Sequence, residues 1–504
     1  MKTILLFGAG KSATVLIDYL IAEAPAENWH LLLVDASLEL ALSKTGGSPY
    51  ATALSFDIRE SAERAAHISK ADIVISLLPP HLHIEVARDC VRLKKNLLTA
   101  SYMDPEIKKL ETDIQEAGLF FLYEMGLDPG IDHMSAMQLI NNIRAKGGEI
   151  HTFRSHCGGL VAPESDDNPW HYKISWNPRN IVLAGKAGAH YRDNGQEVNI
   201  PYEQLFNNEQ LVSIPGLGTL AWYANRDSLS YTTLYGLENT RTFVRTTLRH
   251  PDFLYGWNNI IELKLTDETP AYASDGMTLR ELFHEHLEKQ GFGQWINRKI
   301  SERLEQTRAL LEKLTELDDV ETAAGEAGER PSSSFMAADA KGNLVEYDTE
   351  AVKTDAAATL AHKMHEANLT LKQLFFLGLD DEQTLVNKGF CSAADILQLA
   401  LEKKLVLHPD DRDMIVMLHE IGYSLKGKEK TIRSSLVVKG ENNLRTAMAK
   451  TVGLPLGIAA KMVLSGVINM QGLHIPTSAG IYEPVLKELA GLGVCFEENE
   501  EGEQ

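Results

Sequence analysis

The chain has 504 residues, 44% of them hydrophobic and 24% charged, and a formal net charge of −21. That length exceeds what one hydrophobic core serves, so two or three domains are expected, with the composition of a globular protein. The acidic balance argues against nonspecific binding to nucleic acid or an anionic membrane, and no apolar run of about 18 residues suggests a transmembrane helix. Cys90, Cys157, Cys391 and Cys495 are dispersed and form no CxxC pair. They speak against a zinc site and a disulfide framework, no metal is expected, and their use fits a reducing cytoplasm.

In chain order, residues 3–7 read as a short buried strand. Gly8-Ala9-Gly10-Lys11-Ser12-Ala13 and a helical pattern through Leu20 follow. This is GxGxxA in its strand–turn–helix context, the signature of a dinucleotide site. Gly8 makes the turn, Gly10 admits a pyrophosphate and Ala13 lets helix and strand pack closely, while Lys11 and Ser12 open the helix whose free N–H groups meet the phosphates. A P-loop would need a glycine five residues before Gly10, where Leu5 stands. The second strand, 31–34, ends in Asp35, a carboxylate suited to the adenosine ribose and repelling a 2′-phosphate, so NAD is favoured over NADP. Strand patterns at 73–78, carrying Ser76 and Leu77, and at 96–100 complete a doubly wound parallel sheet.

The run Gly126-Leu127-Asp128-Pro129-Gly130-Ile131-Asp132-His133 follows an apolar strand at 119–122. Proline and glycine permit a sharp bend at a strand end, where ligands bind in such sheets. A plain turn into a helix starting near Ile131 would explain the bend alone.

Beyond residue 150, strands are expected at 151–157, 181–191, 197–200 and 241–249, with a hairpin at Asp193-Asn194-Gly195, giving a mainly antiparallel sheet. Period two puts Arg241, Phe243, Arg245, Thr247 and Arg249 on one face and Val244 and Leu248 on the other. Arginines so aligned, with Arg226 nearby, suit carboxylate ligands; a solvated face paired to surface acids is the competing reading. From about 276 to 425 the chain reads as helical. Capping boxes stand at Thr278-x-x-Glu281 and Thr370-x-x-Gln373, and Ile296, Ile300, Leu304, Leu311 and Leu314 sit at helical spacing. Residues 318–350 read as an exposed excursion, 431–439 as a strand, 444–465 as a small-residue helix, and 497–504 as a solvated, disordered acidic tail.

These motifs resemble the saccharopine dehydrogenase family of the L-glutamate-forming type. The likeness rests on the GxGxxA turn, VISLLPP at 74–80, ASY at 100–102, GLDPGIDH at 126–133 and HCGGLVAPESDDNPWHYKISW at 156–176. NRDS at 225–228, RTTLR at 245–249 and MAKTVGLPLGIAAKMVLSG at 448–466 extend it. Asp35 stands where NADP-using members carry a Cys-Arg ending. The resemblance implies a Rossmann domain at 1–130, completed by about 445–490. It also implies a substrate and dimerisation α/β domain at 131–275 and about 425–445, and a helical insertion at 276–424. The chain is then expected to be a cytoplasmic homodimer using NAD or NADP on a small molecule, with no nucleic acid or membrane partner.

By the same resemblance Ser101, Tyr102, Arg226, Thr247, Leu248 and Arg249 contact the substrate, and the pattern adds Arg245. Leu127, Asp128, Pro129, Gly130 and Ile131 line the nicotinamide with Ser175 or Trp176 nearby, and Ser76 and Leu77 join the dinucleotide site. The expected activity is hydride removal at the secondary amine of saccharopine, followed by imine hydrolysis. Asp128, Tyr102 and Cys157 are the candidates for proton transfer, efficient only with a shifted pKa. Asp128 could equally cap the following helix, and Cys157 could simply fill the pocket wall. His133 is expected to be a hydrogen-bonded helix residue, and His81 with His83 lacks the carboxylate a metal pair would need. The rivals are a carboxynorspermidine dehydrogenase-like enzyme and a non-catalytic NAD-binding protein.

Overall fold

Strand β1 (Lys2–Phe7) is the centre of the first sheet, its side chains from Ile4 to Phe7 fully buried. A strand covered on both faces reads as an unbroken apolar run. With β2 (Trp29–Asp35), β3 (Ala51–Ser55), β4 (Ile73–Ser76), β5 (Asn96–Thr99), β6 (Phe120–Leu122) and a last strand, Gly472–His474, it forms a seven-stranded sheet. The order is Gly472–His474, β6, β5, β4, β1, β2, β3, and every pairing is parallel. This is the doubly wound arrangement expected, with its switch point between β1 and β4.

The computed structural model describes residues 1–207, 210–295, 297–299, 301–302, 305, 334–338, 344–348, 365–366 and 368–502. They divide into two units: Met1–Asp167, His171–Pro251 and Leu405–Gln504 in one, Asn168–Trp170 and Asp252–Lys404 in the other. Asn168–Trp170 aside, the second unit is the stretch Asp252–Lys404.

The first unit also holds a ten-stranded sheet. Its strands are β7 (Glu149–Val161), β8 (Ala189–Asp193), β9 (Gln196–Ile200), β10 (Gln210–Ile214), β11 (Gly218–Ala224), β12 (Arg226–Asp227) and β13 (Thr242–Arg249), joined by Asp413–Leu425, Lys428–Lys439 and Glu497–Gly502. The hairpin at Asn194-Gly195 is present, both residues at positive φ. The sheet is mainly antiparallel, as expected, with two parallel pairings, β13 with β7 and β12 with β8. Two local expectations need correction. Residues 181–188 are not strand; Pro178–Val182 is a short helix capped by Asn177. Residues 413–425, expected helical, form a long strand buried on both faces, which erases the alternation that would have marked it.

The acidic tail is also corrected: Glu497–Gly502 pairs antiparallel with Lys428–Lys439, filling an open edge while its side chains stay exposed. The helix Ala447–Ser465 is long and apolar enough to cross a membrane by composition, yet most of it is buried in the fold. Its N-terminus is satisfied by Asp413, which accepts from Ala447 N–H at 2.5 Å and Met448 N–H at 3.0 Å.

In the second unit the capping box of Thr278 and Glu281 starts the helix Leu279–Lys289. Thr370, by contrast, lies inside a helix and donates to Glu366 O at 3.2 Å, so the second capping box is not formed. Ile296, Ile300, Leu304, Leu311 and Leu314 lie outside the described residues, and of the excursion only the ribbon of Ser334–Ala338 with Leu344–Asp348 is described.

Helix Ala447–Ser465 packs on helix Thr14–Glu27 through glycine: a Cβ on Gly453 would stand 2.9 Å from Leu16 N. Gly453→Val is therefore expected to lower stability by about 1–3 kcal/mol through overpacking. Gly480→Ala, on a helix with open space around it, is expected to gain about 0.5 kcal/mol. Melting temperatures in the reverse order would contradict this contact.

Candidate active site

The dinucleotide turn has the backbone its motif requires. Gly8 sits at φ +101°, and a Cβ there would meet Leu77 O at 2.7 Å. Around Gly10 nothing lies within 4 Å of such a Cβ, which leaves the room a pyrophosphate needs. Lys11–Ala13 forms a tight turn leading into Thr14–Glu27, with no side chain capping either start. These N–H groups remain available to an anion. Asp35 closes β2; its carboxylate accepts from Ala9 N–H at 2.8 Å and Ser37 N–H at 2.9 Å. The residues present therefore fit a nicotinamide dinucleotide.

The bend after β6 is held by its own backbone. Gly126 N–H donates to Pro129 O, and Ile131 N–H to Gly126 O, across a cis Asp128–Pro129 bond. Gly130 lies at φ +147° and only 2.0 Å would separate a Cβ there from Gly126 O, so no other residue fits. The helix Ile131–Ala145 follows, with Gly130 rather than Asp128 at its N-cap. The capping role considered for Asp128 is thereby replaced by another contact.

That contact is Arg245. Its Nη2 lies 2.6 Å from Asp128 Oδ1 and 2.6 Å from Asp132 Oδ2, with the guanidinium 4.4 Å from the centre of the Tyr231 ring. The strand is buried here, and Arg245 N–H donates to Ser228 Oγ. Arg245 was expected to hold a ligand; instead its charge is taken by two of the chain's own carboxylates. Arg241 lies outside β13 and is exposed, and Leu248 turns its side chain into the core on the opposite sheet face, as the period-two pattern implies for the latter.

The two aspartates titrate in opposite directions. Burial raises Asp128 to about 6, against the pull of Arg245 and with the charge of Asp132 adding to the rise. Asp132 is held below the ordinary carboxylate range despite its burial, by His133, Arg245 and the Gly130 N–H it accepts at 2.6 Å. Two close carboxylates sharing one cation cannot both ionise cheaply, so the better-solvated-by-donors partner keeps the charge and the other takes the proton. Asp128 is also the more open of the two, with its side chain 14% exposed against 2%.

Around this pair stand Tyr102, Cys157 and two further arginines. Burial and the Asp128 charge push the Tyr102 hydroxyl and the Cys157 thiol well above their ordinary values. Both stay protonated at neutral pH, so of the three candidate groups Asp128 is the one that titrates near neutrality. Arg226, exposed and at φ +52°, lies 5.0 Å from the Tyr102 ring centre. Arg249, buried, sits 5.3 Å from the Tyr172 ring centre and donates to Leu248 O at 2.8 Å. Thr247 is in register with Cys157, and Trp176 donates to Tyr172 Oη at 3.2 Å.

A second polar ring lies behind. His133 bonds Glu124 through Nε2 at 2.8 Å and Tyr235 through Nδ1 at 2.5 Å, as expected of a satisfied helix histidine. Glu124 also accepts from Met103 N–H and Tyr231 Oη. Glu124, Asp132, Tyr231 and Tyr235 were not singled out from the sequence as site residues. The φ of +56° at Glu124, rare for such a residue, has no sequence mark.

Residues 4–122 match the family described as saccharopine dehydrogenase NADP binding domain, and residues 126–494 the saccharopine dehydrogenase C-terminal domain. Saccharopine dehydrogenase (NADP(+), L-glutamate-forming) of Saccharomyces cerevisiae is 30% identical over 97% of this chain and 96% of its own. Mitochondrial alpha-aminoadipic semialdehyde synthase of Bos taurus is 31% identical over 98% of this chain but 47% of its own, so the chain spans about half of such relatives. The apo saccharopine dehydrogenase (L-Glu forming) structure from Saccharomyces cerevisiae superposes with a TM-score of 0.76 at 28% identity, covering 99% of this chain and 100% of that one.

Removing the shared cation should expose what it neutralises. Arg245→Leu is expected to cost about 3–5 kcal/mol, as a broken buried ion pair does. Both carboxyls would then bind protons more tightly folded than unfolded, so stability falls as pH rises and the gap to the parent narrows on acidification. A melting-temperature difference that is small, or constant between pH 5 and 8, would contradict the shared-cation arrangement.

Proposed function

Because the chain belongs to the saccharopine dehydrogenase family, we propose that it oxidises saccharopine with a nicotinamide dinucleotide and water, releasing L-glutamate and L-2-aminoadipate 6-semialdehyde. The observation that carries this reading is Asp128, a half-buried carboxyl raised to about 6 and held in place by Arg245. A group with that pKa can take and return a proton near neutral pH.

Saccharopine is a secondary amine bearing three carboxylates. Arg226 and Arg249, with Ser101, Tyr102 and Thr247, are the residues that would hold them, arginine through paired N–H donors. Tyr102 and Cys157, both protonated, offer donors but no base. Asp128 accepts the amine proton as the C–H bond on the lysine-side carbon breaks and the C–N bond becomes an imine. A bound dinucleotide supplies the hydride acceptor. Asp128 releases that proton to solvent and then carries one from the water adding at the imine carbon to the nitrogen; transfer of the carbinolamine O–H proton to the same nitrogen lets the C–N bond break to leave the glutamate amine and the aldehyde. The sum is one saccharopine, one oxidised dinucleotide and one water in; glutamate, semialdehyde, reduced dinucleotide and a proton out. The four cysteines are free thiols, in keeping with a cytoplasmic setting; a homodimer completes the proposal.

Saccharopine-dependent absorbance at 340 nm tests the reading directly. In the oxidative direction kcat/KM is expected to rise with pH through a midpoint near 6, the Asp128 value, because the carboxylate is the working form. Asp128→Asn is expected to remove that limb and lower kcat by roughly 10²- to 10⁴-fold. Dinucleotide binding without turnover would identify a silent relative, and turnover of a carboxylated polyamine in place of saccharopine the other rival.

For the dinucleotide itself we favour NAD, although the matched binding-domain family and the yeast relative carry NADP in their names. Asp35 supports this: its carboxylate at the end of β2 would face a 2′-phosphate with like charge. NAD is expected to be preferred at least about tenfold in kcat/KM, with Asp35→Ser relaxing the preference. Steady-state kinetics showing NADP preferred by the parent protein would overturn the Asp35 argument.

A further inference from the structure

His83 links the two halves of the site and has no role in the mechanism above. Ser76 ends β4 and Ser101 follows β5, neighbouring parallel strands. His83 opens the helix His83–Leu93 and lays its ring between them, with Nδ1 2.8 Å from Ser76 Oγ and Nε2 2.6 Å from Ser101 Oγ. Ser76 adjoins Leu77, the residue that closes on Gly8 in the dinucleotide turn. Ser101 adjoins Tyr102, which lies in the field of Asp128. His83 and Ser76 are buried, whereas Ser101 is half-buried.

The imidazole is neutral in this setting: burial lowers it to about 4, with Asp104 opposing the fall and His81 adding to it. A neutral imidazole has one donor and one acceptor nitrogen, and each serine hydroxyl can play either part. The polarity of the chain is therefore set by what Ser101 meets. A carboxylate only accepts, so Ser101 must give its O–H outward and accept at Oγ from the ring. Nε2 then carries the proton, and Nδ1 accepts from Ser76 O–H.

We propose that His83 is a positioning residue, holding the Ser101 hydroxyl as a donor to a substrate carboxylate through Nε2–H while Ser76 fixes the tautomer; this rests on the reaction assigned above. Ser101 touches the substrate, and His83 acts only through it. The arrangement predicts an effect on substrate affinity, carried by one nitrogen of the ring.

The test uses the full chain with saccharopine as the varied substrate at saturating dinucleotide. His83→Asn keeps a group near Nδ1 but loses the Nε2 donor, and is expected to raise the saccharopine KM about tenfold or more, as loss of a hydrogen bond to a charged group does. Its kcat should stay within about threefold, and its dinucleotide Kd within about twofold. His83→Gln restores an N–H at the Nε2 reach and should recover most of the KM. Ser101→Ala should reproduce the Asn phenotype, and the double variant should be no worse than either single one, since the two act as a unit. Equal damage by Asn and Gln, full additivity with Ser101→Ala, or an unchanged KM in His83→Asn would overturn the proposal. If His83→Asn fails to melt cooperatively, Ser76→Ala decides: an unchanged saccharopine KM there counts against the tautomer lock. A parent protein inert toward saccharopine would sink the assigned reaction, and this inference with it, whereas an active parent with a flat KM across the series would sink His83 alone.

Discussion

One guanidinium between two carboxylates organises this site. Arg245 comes from the middle of a sheet strand, and Asp128 and Asp132 flank the start of a helix more than a hundred residues earlier. Burying three charges is costly, and the net charge of the trio is still negative. The excess is resolved by a proton, and the surroundings decide where it goes. Asp132 has a backbone N–H and His133 beside it, so it stays ionised. Asp128 has fewer donors, so although it is the more exposed of the two, burial leaves its carboxyl the one that titrates near neutrality. A structural ion pair and an acid–base group are thus made from the same three side chains.

Everything else in the site follows from holding that trio in place. The Gly126–Gly130 bend fixes Asp128 just beyond β6, because Gly126 N–H donates to Pro129 O and Ile131 N–H donates to Gly126 O. Ser228 anchors the backbone of Arg245, and Tyr231 underlies its guanidinium. Behind them His133 bonds Glu124 through one ring nitrogen and Tyr235 through the other, so these three buried groups are connected. Arg245 is occupied inward, and Arg226 and Arg249 are the flanking arginines proposed to meet the substrate carboxylates.

How much of this could be read from the chain depended on whether the signal was local. The dinucleotide turn was legible because Gly8 and Gly10 serve backbone geometry within six residues, and Asn194-Gly195 was legible as a hairpin for the same reason. The alternation in 241–249 correctly separated the arginines from Leu248. It could not show that Arg245 would meet Asp128, since that pairing is made by the fold. Residues 413–425 escaped because burial on both faces removes period two, and the parallel pairing of β13 with β7 joins strands that no short-range pattern relates. The tail at 497–502 read as solvated from its charge; its backbone still found the open edge of Lys428–Lys439. His83 was weighed only as a metal ligand, while its partners, two serines on separate strands, become neighbours only in the sheet.

The division of charge between Asp128 and Asp132 is the claim on which the chemistry stands. A carbon-13 NMR titration of aspartate-labelled protein, with the two carboxyl signals assigned through Asp128→Asn and Asp132→Asn, measures it site by site. The account predicts one signal moving with a midpoint near 6, lost in Asp128→Asn, and an Asp132 signal that stays ionised through that range. Both carboxyls titrating together below pH 4, or Asp132 holding the proton, would contradict it.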